Sequence, residues 1–274
     1  MATVGLLSGV GNLPVEFMRA ARSEGHRIVA VAVVEGTEAA LAAEADAFYA
    51  VSIFKLDTIA KTLKREGVTE VTMLGKVTKE VLYKGKKVIP DLRTIKFLAG
   101  LKNRQDDTIM LGLVEELRKE GIGVADQTYY LRSLMPEPGV LTAKRPTAEQ
   151  NEDIAFGFRA AKAMGGLDIG QTVVVKNKAV MAVEAIEGTD ACIRRGGELG
   201  RGETVVVKTA KPNQDVRFDV PAVGLQTLRS MIDSGCNVLA MEARRTIFVE
   251  QQAVLEAAAK HGIVICAVEG EERP

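Results

Sequence analysis

The strongest constraint on the fold is an alternation that fills the first 126 residues. Short apolar runs, VGLLSG (4–9), RIVAVAVV (27–34), EVTMLG (70–75) and IGVAD (122–126), are separated by stretches with helical spacing that stop on glycine. These are LPVEFMRAARSEG (13–25), LDTIAKTLKREG (56–67) and DDTIMLGLVEELRKEG (106–121). A run that is apolar on every residue is buried on both faces, and short helical crossovers between such runs make a parallel sheet covered by helices. The glycines supply the left-handed residue on which helices commonly end.

The alternation breaks at LMPEPGVLTAKRP (134–146), where three prolines and a glycine fall within thirteen residues. This reads as a linker. Beyond it, TAEQNEDIAFGFRAAKAMGG (147–166) is a helix with a Thr cap, and TVVVKNKAVMAVEA (172–185) is a hairpin about Lys-Asn-Lys. ETVVVKTA (203–210), NVLAMEA (237–243) and IVICAVE (263–269) are strands, with helices at 223–235 and 248–262. The expected fold class is α/β: an N-terminal Rossmann-like parallel-sheet domain over 1–133, the linker 134–146, and a dissimilar C-terminal mixed α/β domain over 147–274.

Composition narrows the chemistry. The 274 residues carry 36 basic and 36 acidic side chains, a formal net charge of zero, which argues against a nucleic-acid partner. There are two histidines, His26 and His261, each at a helix-strand junction, so a Ser-His-Asp triad or a histidine metal centre is not expected. Cys192, Cys236 and Cys266 are widely spaced in apolar settings and read as reduced, buried thiols. The N-terminus has no basic segment followed by an apolar one, and the longest apolar stretch, Ile28 to Val34, is far short of the roughly 20 residues that span a bilayer. A cytoplasmic location is expected. Catalysis, if present, falls to carboxylates, lysines and a hard metal.

SGVGNLP (8–14) joins the first strand to the first helix, where such folds bind phosphate. Gly9, Gly11, Asn12 and Leu13 are the candidate binding residues. Gly9 and Gly11 fit the first two positions of a dinucleotide fingerprint, but Pro14 stands in place of the third glycine, which favours a mononucleotide or nucleotide-sugar. A tight turn without a ligand is the plain alternative, and Glu35 keeps an NAD-dependent oxidoreductase open as a weaker one. Lys76 lies just beyond a strand, and Gln105 and Asp106 lie at a helix start.

Two further stretches carry carboxylates and cations together. In VEAIEGTDACIRRGG (183–197), Glu184, Glu187 and Asp190 lie within seven residues across the Gly188-Thr189 turn, where Thr189 or Asp190 would begin a helix. In KTAKPNQDVRFDVPAVG (208–224), strand-like alternation would put Asp215, Arg217 and Asp219 on one face. Lys176 and Lys208 each close a VVVK strand, bringing cations to comparable strand ends, with Lys211 close by. Carboxylates for Mg²⁺ and cations for phosphate oxygens are the equipment of phosphoryl transfer.

The ordered set SGVGNLP, LGKV, RQDD, VVVKNKAVMAVEAIEGTD, VVVKTAKPNQDVRFDVPAVG and MEARR resembles the LpxI family of UDP-2,3-diacylglucosamine pyrophosphatases, over nearly the whole chain. The resemblance implies a Mg²⁺- or Mn²⁺-dependent enzyme of lipid A synthesis on the cytoplasmic side, peripheral to the inner membrane. Its substrate would be a lipid-linked nucleotide sugar, cut to UMP and 2,3-diacylglucosamine 1-phosphate and held between two dissimilar domains of a homodimer. It places the critical aspartate at Asp219, with Asp215 second. On that footing SGVGNLP, Gln105 and Asp106 help hold the uridine nucleotide. Lys176, Lys208 and Lys211, with Lys76, Thr189 and Arg217, serve substrate binding; Asp215 and Asp219, with Glu187 or Asp190, bind the metal. A nucleotide-sensing binding protein without hydrolysis is the rival reading.

Overall fold

The computed structural model describes residues 2–36, 38–77, 89–103 and 106–270. The chain divides into two compact units, one made of residues 1–131 with 216–218, the other of 132–215 with 219–274. It is an α/β protein with two separate, dissimilar main sheets.

In the first unit, β1 (Thr3–Ser8), β2 (Arg27–Ala32), β3 (Ala47–Ala50), β4 (Glu70–Leu74) and β5 (Gly123–Val124) form a parallel sheet in the order β3-β2-β1-β4-β5. The helices are α1 (Leu13–Ser23), α2 (Glu38–Glu44), α3 (Leu56–Arg65), α4 (Leu92–Gly100) and α5 (Asp106–Lys119). Leu7, Val29, Val31, Leu63, Val71 and Ile122 are buried in one apolar cluster, as expected for strands apolar on every residue. The same cluster holds Phe218, 2% exposed, from far along the chain. Val216 belongs here as well, its carbonyl accepting a hydrogen bond from the Gln127 amide.

In the second unit, β6 (Gly139–Val140), β7 (Thr172–Lys176), β8 (Ala179–Val183), β9 (Val205–Lys208), β11 (Val238–Glu242) and β13 (Val264–Val268) form a mixed sheet in the order β6-β13-β11-β9-β7-β8. β9, β11 and β13 are parallel; β7, β8 and β6 run against their neighbours. The stretch read as a linker thus supplies the edge strand β6. A short parallel pair, β10 (Ala222–Val223) and β12 (Ile247–Phe248), completes the strands. The helices are α6 (Ala148–Gly166), α7 (Thr189–Gly200), α8 (Leu225–Ser234) and α9 (Gln251–His261). Sheet alternation sends Val205 and Val207 to Ile154 and Phe158 of α6, and Val174 and Val206 to Ile193, Leu228 and Met231 of α7 and α8.

Local rules account for the starts and turns. Thr147 and Gln150 form a reciprocal capping box at α6. Asn177 and Lys178 both take left-handed backbone (φ 52° and 57°), which matches a two-residue hairpin of the strand-twist-compatible kind. Their amides donate to the two carboxylate oxygens of Asp153, at 2.9 and 2.6 Å, and Asp153 is buried. Asp153→Ala is expected to destabilise the second unit by about 1–3 kcal/mol, because both turn amides lose the buried carboxylate that ties the hairpin to α6. A urea midpoint equal to the parent's would contradict this. All three cysteines are buried and free; burial pushes the Cys192 and Cys266 thiols up to about 12, which leaves them protonated near neutral pH. No helix among the described residues is long and apolar enough to cross a membrane.

Candidate active site

The first unit has a switch point where its strand order reverses. The chain runs outward from β1 through β2 to β3, then returns to β4 on the other side of β1, so the switch point lies beyond the carboxyl ends of β1 and β4. The two loops there are laced together. The Gly9 amide donates to the Leu74 carbonyl, and Val10 and Lys76 exchange two backbone hydrogen bonds at 3.0 and 2.8 Å. A Cβ on Gly9 would lie 2.6 Å from the Lys76 carbonyl oxygen, so the approach requires glycine. Lacing uses the Val10 and Lys76 amides on each other, and the chain then enters α1 through Gly11 at φ 120°, Asn12 and Leu13, a helix start of the kind that favours anions. The Lys76 side chain is exposed at this end. Asp106 opens α5, and Gln105 lies outside the described residues.

The second unit gathers more chemistry. β9 and β11 end side by side on Lys208 and Glu242, both buried, at the carboxyl edge of the parallel strands. Lys208 Nζ donates to Thr189 Oγ1 at 3.1 Å and to the Ala222 carbonyl at 3.0 Å. Thr189, the first residue of α7 and one of the two starts expected, donates in turn to Glu184 Oε1 at 2.7 Å. Glu184 Oε2 accepts the Gln171 amide, and Gln171 Nε2 donates to Asp219 Oδ2 at 3.1 Å. Asp219 Oδ2 also lies 2.8 Å from Lys211 Nζ, which reaches Asp168 Oδ1 at 2.6 Å. Glu242 holds both Lys162 Nζ and the Ala210 amide, the residue before Lys211. Lys208, Lys211, Thr189 and Asp219 are therefore joined in one polar network at the end of the sheet where α/β folds bind ligands.

Several sequence expectations are corrected by this geometry. Residues 211–220 form turns rather than an extended strand, and Asp219 has left-handed backbone (φ 61°). The alternation that would align Asp215, Arg217 and Asp219 is thereby broken, while Phe218 is drawn into the first unit's core and Arg217 sits over its ring at 6.0 Å. Lys176 and Lys208 stand at opposite ends of the sheet, because antiparallel pairing sets Thr172 against Lys208 and Val175 against Val205. Lys176 instead donates to the Gly200 and Gly202 carbonyls at the end of α7, the cation position that helix ends favour.

The expected metal set, Asp215 and Asp219 with Glu187 or Asp190, is not gathered into a ready-made site among the described residues. Among the described residues no three His, Cys, Asp or Glu side chains gather to hold an ion. Glu187 pairs with Arg195, and its own backbone amide and that guanidinium hold its carboxyl below the usual range. Asp190 Oδ1 accepts from the buried Ser230 hydroxyl. Sequence reasoning missed Asp168, along with Gln171, Lys162 and Glu242. The signal for Asp168 was GGLDIG at the end of α6, an acid at the end of a helix where a glycine would be unremarkable.

Comparisons with known proteins agree over the full length. The model of the LpxI N-terminal domain matches residues 3–134, and that of the LpxI C-terminal domain matches 137–266. The UDP-2,3-diacylglucosamine pyrophosphatase LpxI of Caulobacter vibrioides is 31% identical over 285 residues, with 100% of both chains covered. Likeness to solved structures is slight and carries no functional weight. A UDP-N-acetylglucosamine 4-epimerase from Bacillus cereus aligns with a TM-score of 0.32 at 12% identity, over 98% of this chain and 74% of that one. The biotin carboxylase subunit of pyruvate carboxylase aligns at 0.27 and 13%, over 68% and 39%. With both domain models matched in order and a full-length relative at this identity, the chain belongs to the LpxI family.

Proposed function

We propose that the protein hydrolyses the pyrophosphate bond of UDP-2,3-diacylglucosamine, releasing UMP and 2,3-diacylglucosamine 1-phosphate in lipid A synthesis. Family membership and the relative's name support the reaction. The observation that carries the site is the Lys211-Asp219 pair at the carboxyl edge of β9 and β11, with Lys208 on the same network. A water positioned on Asp219 gives its proton to the carboxylate as its oxygen bonds to one phosphorus, and the bridging P–O bond breaks. Lys208 and Lys211 neutralise charge on the phosphate oxygens as it develops. Gly9, Gly11, Asn12, Leu13 and Lys76 in the first unit, with Gln105 and Asp106, are assigned to the uridine nucleotide.

A preformed carboxylate cage does not fit this chain, but Mg²⁺ commonly takes one or two carboxylates and completes its shell with phosphate and water. Asp219, with a side chain 43% exposed, fits that role, and Asp215 is the second candidate. Such an ion, Mg²⁺ or Mn²⁺, would withdraw charge from the phosphate oxygens. We further assign the protein to the cytoplasm, peripheral to the inner membrane, as a homodimer, on the resemblance described above.

Incubating the protein with UDP-2,3-diacylglucosamine and Mg²⁺ or Mn²⁺ is expected to release UMP, measured by chromatography, and EDTA to suppress it. Absence of UMP in every metal condition would overturn the reading in favour of a sensor. Full turnover in EDTA would remove the metal alone.

A further inference from the structure

We propose that Asp168, which lies outside the sequence motifs, is a positioning residue for Lys211 in the reaction proposed above, on which this inference rests. Lys211 Nζ is bridged between Asp168 Oδ1 at 2.6 Å and Asp219 Oδ2 at 2.8 Å, and its side chain is only 11% exposed. The backbone that carries this side chain is held as well. Its amide donates to Gln214 Oε1, and the Gln214 amide donates back to its carbonyl. Its Cα packs over Gly165, where an added Cβ would stand 3.3 Å away. The Ala210 amide just before it is anchored on buried Glu242.

Asp168 itself is locally unfavourable. It follows α6, at the end of a helix whose carbonyls repel a carboxylate, and its left-handed backbone (φ 56°) is one that an uncharged asparagine or a glycine would serve equally well. Neither local structure nor capping calls for an acid there. What the acid does is hold one side of Lys211 while Asp219 holds the other. Local rules broken without a local gain are the mark of a functional position.

The consequence concerns Asp219 as much as Lys211. With Asp168 present, the ammonium is shared between two carboxylates and stands at a defined point between them. Without Asp168, the lysine has Asp219 as its remaining carboxylate among the bridged pair and closes on it, so that one group cannot face phosphate oxygens nor the other a water in the same geometry. The lysine stays in the site, so substrate capture survives while the chemical step suffers.

The test compares Asp168→Asn, Asp168→Glu, Lys211→Met and the Asp168→Asn/Lys211→Met double variant for UMP release, alongside thermal melting. Asn is isosteric and tolerates left-handed backbone, so Asp168→Asn is expected to melt at or above the parent temperature. Its kcat is expected to fall by up to about 100-fold with KM near the parent value. Asp168→Glu should recover part of kcat, and in the Lys211→Met background Asp168→Asn should change nothing further. Parent-level kcat in Asp168→Asn overturns the inference. So does a loss that adds fully to that of Lys211→Met, or one matched by an equal fall in melting temperature. Absence of UMP from the parent protein itself overturns the reaction, and the inference with it; an active parent with an unaffected Asp168→Asn overturns the inference alone.

Discussion

Asp219→Asn is expected to reduce UMP release by about 10²–10⁴-fold, the range over which a positioned general base acts, while the variant stays folded and binds substrate. Three features make the substitution clean. Asparagine is among the few residues that accept the left-handed backbone found at Asp219 (φ 61°), so no conformational strain is introduced. Lys211 keeps Asp168 at 2.6 Å, so the partly buried ammonium is not stranded. The Gln171 amide still finds an oxygen acceptor at the position it now reaches at 3.1 Å. The loss therefore reports on the carboxylate's charge and basicity rather than on the fold. Substrate retained on the variant, seen by equilibrium binding of UDP-2,3-diacylglucosamine, would place the defect in the chemical step. Turnover near that of the parent would remove Asp219 from the reaction.

The parts of the molecule that sequence makes legible are those that short-range rules control. β1, α1 and β2 follow from apolar runs and a glycine stop, the capping box from Thr147 and Gln150, and the turn at Asn177 and Lys178 from its place between two β-rich runs. Short elements escape such rules: α2 is seven residues rich in alanine, and β3 is the four residues AFYA. Within the candidate site, Thr189, Lys208, Lys211 and Asp219 were legible as residue types in suggestive stretches, but their grouping was not. VVVK occurs at 173–176 and 205–208 with identical spelling, and only antiparallel pairing reveals that the two lysines point to opposite ends of the sheet. QDVRFDV alternates like a strand, yet burying Phe218, about 1.5–3 kcal/mol of apolar transfer, draws the segment into turns. Asp168 meets Lys211 across an intervening hairpin and helix, a separation no local pattern encodes.

Lys162→Met is expected to destabilise the second unit by about 3–5 kcal/mol, because it leaves a buried carboxylate without its ion partner. Glu242, at the end of β11, is 2% exposed, and Lys162 Nζ lies 2.7 Å from both its oxygens and 2.9 Å from the Ala210 carbonyl. What remains in the variant is the Ala210 amide at 2.8 Å and Arg245 at 4.0 Å, which is too little for a charge this far from water. A melting temperature lower by about 10 °C follows for a domain of this size. Adding Glu242→Gln to Lys162→Met should restore part of the loss, since the remaining polar group is then neutral and keeps the Ala210 hydrogen bond. Activity is expected to fall further than stability alone explains: Glu242 fixes Ala210, and Ala210 leads directly into Lys211. If Lys162→Met melts with the parent, the ion pair is not what anchors this edge of the sheet, and the buried carboxylate must be satisfied by Ala210 and Arg245 alone.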